Sequence, residues 1–146
     1  MDNTEQKVTD KKDEMVDKFL PTFDSGTPDT KWNKKRFTEF LKVELTPDIY
    51  NIYCFDDAIG IDASYRFSFN CDTSTVKRIL DKHQMVVDTI KPIGDGIIFN
   101  YVFDWWQKDK IDSLQLYTWK SADKRYIKHF WYNEDEQKAY YFTYDL

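Results

Sequence analysis

Two histidines, two cysteines and a knot of aspartates are the residues here whose types invite chemistry. A zinc ligand or general base needs convergent partners. Neither His83 nor His129 has a second His or Cys at a spacing such as H-x₃₋₅-H or C-x₂-C. His83 falls near an expected helix C-terminus, where an imidazole is electrostatically favoured in any case. Cys54 and Cys71 flank Gly60 and Ile61. A simple hairpin turning there sets Cys54 opposite Phe67 or Ser68, not Cys71. Cα atoms more than about 7 Å apart cannot be bridged. Two reduced, partly buried thiols are therefore the favoured reading, and a bulge or another register would be needed for a bond. Neither cysteine has a histidine nearby in sequence to activate it.

Asp56, Asp57 and Asp62 surround Gly60 without the D-x-[DN]-x-[DN]-G pattern of a calcium loop. They read as a solvated turn that offers an acidic contact patch. Gly94-Asp95-Gly96 reads as a tight turn, since no G-x-G-x-x-G or G-K-[ST] surrounds it. No nucleophile-elbow motif is present either. These readings name no catalytic residue, metal or cofactor, and the expectation is a non-enzyme. Asp104-Trp105-Trp106 is the least ordinary local feature. Tandem tryptophans point in different directions on an extended chain, so one is expected in the core and the other over a loop. Trp is also enriched at interaction hot spots.

The elements that must position these residues follow from length and pattern. The sequence has 146 residues, enough for one domain with its own core. Residues 1–8 read as a flexible tail and residues 9–146 as a single domain. Aromatics make up 18%, which excludes overall disorder. The net charge of -5 argues against general nucleic-acid binding, which rests on phosphate neutralisation. Two cysteines exclude a disulfide-dense scaffold and a four-Cys zinc site.

Met15, Val16, Phe19 and Leu20 mark one helical face, ended by Pro21. Phe37, Phe40, Leu41 and Leu45 mark a second, closed by Pro47. The period then changes. Ile49 to Phe55 reads as a strand apolar on nearly both sides. In the next strand Ala63, Tyr65, Phe67, Phe69 and Cys71 point inward, and Ser64, Arg66, Ser68 and Asn70 outward. That pattern predicts one wet face, so Phe67→Asp should unfold the domain and Arg66→Asp should cost little. Asp72 caps a helix carrying Val76, Ile79 and Leu80.

Strands follow at Met85–Val87, Ile97–Phe103, Leu114–Lys120, Arg125–Tyr132 and Lys138–Tyr144, with a short helical turn or crossing at Trp105–Asp112. In the last hairpin Phe130 is expected opposite Phe142, Tyr132 opposite Tyr140 and Lys128 opposite Tyr144. The sum is an α+β domain: a curved antiparallel sheet with the N-terminal helices and one central helix on one side. The element order is NTF2-like or cystatin-like, an analogy of fold alone.

Phe103-Asp104-Trp105-Trp106, Leu114-Gln115-Leu116-Tyr117, His129-Phe130-Trp131-Tyr132 and Lys138-Ala139-Tyr140-Tyr141-Phe142 together have the texture of a family. This last third resembles small bacterial domains of lipoprotein or immunity type. The resemblance implies a bacterial or phage source and a binding role rather than catalysis. It carries no residue roles.

Three functional readings stay open. The leading one is an acidic binding protein that docks a protein partner of basic character, as an immunity protein or inhibitor does. Asp56, Asp57, Asp104, Trp105, Trp106 and Trp131 are its candidate contacts. The second is an aromatic-lined small-molecule pocket on a cone-shaped sheet. The third is a structural cell-envelope lipoprotein. The polar residues 1–18 contain neither a secretory apolar region nor a membrane span. The expected location is cytoplasmic as the sequence stands, or the envelope if a signal has been removed.

Overall fold

A computed structural model of the protein describes residues 25–57, 64–89 and 103–145. Several expectations lie outside them: the tail, the helix at Met15–Leu20, Asp62, the turn at Gly94–Gly96 and most of the strand at Ile97–Phe103.

Helix α1 spans Lys31–Leu41. The Thr30 side chain caps it by accepting from the Asn33 N–H at 3.1 Å. Asn33, Phe37 and Leu41 form its buried stripe, four residues apart. It stops well before Pro47, because Lys42 takes the left-handed conformation and donates its N–H to the Thr38 carbonyl. Helix α2 spans Thr73–His83, with Asp72 as its cap. A single turn, α3, covers Lys108–Ile111.

The strands are β1 (Tyr50–Asp57), β2 (Ser64–Asn70), β3 (Val86–Asp88), β4 (Leu116–Lys120), β5 (Tyr126–Asn133) and β6 (Lys138–Asp145). They form one antiparallel sheet in the order β1-β2-β6-β5-β4-β3. The sheet is open, and helices pack alongside it in an α+β arrangement. Cys54 lies opposite Phe67, as a hairpin turn near Gly60 requires. Both thiols are free and buried.

Each face of the sheet has its own apolar cluster. On one, Phe37, Leu41 and Ile79 of the helices meet Ile52, Cys54, Phe67, Phe69, Phe130 and Tyr141. On the other, Ile111, Leu116, Trp131, Tyr140 and Phe142 pack together beneath Trp106 and Leu114.

Two expectations need correction. The β5–β6 register differs by one residue: Phe130 pairs with Tyr141, Tyr132 with Ala139 and Lys128 with Thr143. The connecting turn is shorter than expected. Asn133 pairs with Lys138. Its side chain accepts the Glu136 N–H at 3.2 Å, and Gln137 has a φ of 51°. A slip of one residue moves side chains to the other face. Tyr140 and Phe142 therefore join His129 and Trp131, not Phe130.

The second correction concerns β2, whose outward face is covered except at Asn70. Arg66 is 2% exposed and Ser68 is fully buried. The segment around Trp106 folds over them. The Arg66 guanidinium lies 5.3 Å from the Trp106 ring centre and 5.4 Å from that of Phe142. The expectation that Arg66→Asp costs little is overturned, because alternation along one strand does not show what a distant segment will cover.

Candidate functional site

The site grows out of a bulge. Between Tyr50 and Tyr53 the β1–β2 register shifts, and Asn51 adopts a φ of 54°. Asparagine tolerates that conformation better than most residues. The Asp29 carboxylate fixes the bulge by accepting the N–H groups of Asn51 at 3.1 Å and Ile52 at 2.8 Å. The Asp29 N–H in turn donates to the Ile52 carbonyl at 2.9 Å. The Asn33 amide donates to the carbonyls of Thr27 and Ile52 at 2.9 and 2.8 Å. The loop before α1 is thus clasped to the first strand, and it carries Ser25 and Gly26 to the open face.

The chain returns to this point at residues 103–106. Trp105 stacks on Tyr53, with ring centres 5.5 Å apart and planes 11° apart. Phe103 stacks on Trp105 at 4.9 Å. The Trp105 indole N–H donates to the Ser25 carbonyl at 2.6 Å, which joins the two loops. Between them opens a cleft of about 500 Å³ lined by Ser25, Gly26, Asn51, Tyr53, Asn70, Phe103, Asp104, Trp105 and Lys138.

One side of the cleft is polar. Asn70 pairs with Lys138 across β2 and β6, and the Asn51 amide donates to the Asn70 side-chain oxygen at 3.2 Å. The Asn70 amide donates to the carbonyls of Glu136 and Gln137, each at 3.2 Å. Lys138 lies over the Tyr140 ring at 5.3 Å. Burial lowers its pKa, Glu136 opposes that change and Lys110 adds to it.

The residues singled out from sequence fall in different places. Trp105 is 6% exposed and forms the cleft's aromatic wall, with Asp104 exposed beside it. Trp106 meets the rings of Trp131, Tyr140 and Phe142 edge-on, and Trp131 is 8% exposed. The two tandem tryptophans also meet each other edge-on at 6.3 Å. They occupy a turn rather than an extended chain, so both lie over the same sheet face. Asp56 and Asp57 end β1, and their side chains lie outside the described residues.

Sequence reasoning missed Asn51, Asn70 and Lys138. The alternation along β2 sets Asn70 outward, and it lies there. Only the cross-strand pairing shows that this outward position has a cation beside it.

Both histidines sit away from the cleft. His83 donates from Nε2 to the Leu41 carbonyl at 2.7 Å and accepts at Nδ1 from Lys128 Nζ at 3.0 Å. Burial lowers its pKa to about 4; the Leu41 bond opposes this, while Lys128, Lys42 and Lys82 add to it. His129 approaches the Thr118 hydroxyl at 3.3 Å, and burial with Lys120 brings it to about 4. Among the described residues no group of three His, Cys, Asp or Glu is placed to hold a metal, and no helix is long and apolar enough to cross a membrane. No family model, curated protein or solved structure matches the chain.

Proposed function

We propose that this chain is a non-enzymatic binding domain that takes a small polar molecule into the cleft between the Ser25–Gly26 loop, the β1 bulge and the 103–105 turn. The observation that carries this reading is the cleft itself: about 500 Å³, with an aromatic stack on one side and two amides and an ammonium on the other. Ligand sites of roughly 300–1,000 Å³ combine an apolar wall with a few placed polar groups in this way. The position of Trp105, Trp106 and Trp131 in packed clusters also supports a cleft over a tryptophan docking surface.

A thermal-shift screen of small polar metabolites tests it. A ligand at a hundred times its dissociation constant stabilises by about 2.7 kcal/mol. At least one compound should raise the midpoint of the wild type and leave Tyr53→Ala unchanged. A screen in which nothing shifts the wild type ends this reading.

Docking of a protein partner keeps one specific support. Among the described strands β3 lies at the end of the order, with Val86 64% and Val87 55% exposed. An extended segment of a partner would add to such an edge. Val86→Lys with Val87→Lys should abolish capture of a partner while leaving the circular dichroism unchanged. Capture that survives both changes removes the edge from consideration.

A further inference from the structure

We propose that the ligand of this cleft is an uncharged saccharide, an inference that rests on the cleft reading above. Three features of the lining select that class.

The first is the donor and acceptor balance. Asn51 gives one amide hydrogen to Asn70, and Asn70 gives its own amide to two backbone carbonyls. These bonds leave Asn51 one amide hydrogen and its side-chain oxygen, and leave one lone pair on the Asn70 oxygen. Lys138 adds ammonium donors. The polar row therefore offers donors and acceptors side by side. A hydroxyl both donates and accepts, so neighbouring hydroxyls match it. A phosphate or carboxylate only accepts and would face the two amide oxygens unfavourably.

The second is charge. Among the described residues the lining holds one cation, Lys138, and one carboxylate, Asp104. They come from different walls: Lys138 from the sheet, Asp104 from the turn that carries the aromatic stack. These two charges cancel, so the described lining has no net charge to select an ion.

The third is the spacing of the walls. The side chains of Asn70 and Lys138 stand on neighbouring strands, roughly 4.8 Å apart. Tyr53 pairs with Ser68, two residues from Asn70 on the same face of β2. Tyr53 gives one ring face to Trp105, so a ligand ring meets Tyr53 on its other side, where Asn70 and Lys138 also line the cleft. A pyranose presents an apolar C–H face and a rim of hydroxyls, which is the arrangement this lining complements.

The indole N–H of Trp105, held by the Ser25 carbonyl, reports occupancy of the cleft directly. Its nuclear magnetic resonance signal should be followed in the full chain during titration with glucose, galactose, N-acetylglucosamine and maltotriose. Adenosine and phenylalanine serve as comparators. The expected result is a saturable shift with at least one saccharide and none with the comparators. Asn70→Ala and Lys138→Gln should each weaken that binding roughly tenfold, the loss of about one good hydrogen bond. Amide dispersion in the same spectra shows that each variant is folded. A shift with adenosine or phenylalanine and none with sugars overturns the saccharide while leaving the cleft as a binding site. Silence from every probe overturns the saccharide too, and the metabolite screen then decides the cleft separately.

Discussion

Lys128 Nζ stands 3.0 Å from Nδ1 of His83, so a buried ammonium donates to a buried neutral imidazole. The Leu41 carbonyl accepts a hydrogen bond from Nε2–H and thereby fixes the tautomer. Lys128 also lies over the Trp119 ring at 4.7 Å, which supplies part of its stabilisation. Burial and the charge of Lys42 still lower its pKa.

Acid should destabilise this fold earlier than its carboxylates alone require. His83 and His129 sit at about 4 when folded, against an ordinary 6.5. Between those values the unfolded chain binds protons that the folded chain refuses. The stabilisation is therefore whole above pH 6.5 and is lost as pH falls towards 4. Each histidine contributes a slope of at most about 1.4 kcal/mol per pH unit. Urea midpoints at pH 7.5, 5.5 and 4.5 check this, and His129→Gln should flatten the curve. A midpoint constant down to pH 4.5 contradicts the burial described for both rings.

Arg66→Asp should destabilise by about 3 kcal/mol or more, because it places an acid against Trp106 and Phe142 in a covered layer. Arg66→Met keeps most of the packing and should cost much less. Chemical denaturation of both variants beside Phe67→Asp makes the comparison. If Arg66→Asp behaves like the wild type, β2 has a wet face after all.

Asp48 anchors the start of α2 from outside it. It accepts from the Thr75 hydroxyl at 2.6 Å, the Asp72 N–H at 3.1 Å and the Thr46 hydroxyl. Burial alone would raise its pKa, but these bonds hold the carboxyl well below the usual range. Asp48→Ala should cost about 2 kcal/mol, whereas exposed Glu44→Ala should stay within about 0.5. Equal losses would mean that this network is not what secures the helix.

The thiols should be silent in the folded protein. Burial, with Asp48 and Asp72 nearby, pushes the Cys71 thiol up to about 12. Iodoacetamide at pH 8 should label neither cysteine before unfolding and both after it. A reductant should leave the melting temperature unchanged. Native labelling of Cys71 would show that this corner opens readily.

The sequence was informative wherever the governing contact is local. Asp72 caps α2 three residues before the N–H it accepts, and the antiparallel pairing of β1 with β2 sets Cys54 against Phe67, as counting alone predicts. It was misleading where a distant segment decides. Nothing near Arg66 announces that Trp106 will cover it. The β5–β6 register depended on one turn residue, Gln137, taking a left-handed conformation that glutamine does not advertise. The polar row of the cleft was hidden for the same reason: Asn70 and Lys138 are 68 residues apart and meet only through β6.

The place of β6 in the strand order has a consequence for how the protein folds. Among the described strands, hydrogen bonding between β1–β2 and β3–β4–β5 passes through β6. Its pairing with β2 joins positions 68 to 80 residues apart. The β1–β2 and β5–β6 hairpins can form early from nearby segments, but their union waits for a single long loop to close. Folding should then run on the slow, millisecond-to-second scale of sheets with distant partners. Until β2 and β6 meet, each presents an unsatisfied row of backbone groups, and the matching strand of a neighbouring molecule fits there as well as the chain's own.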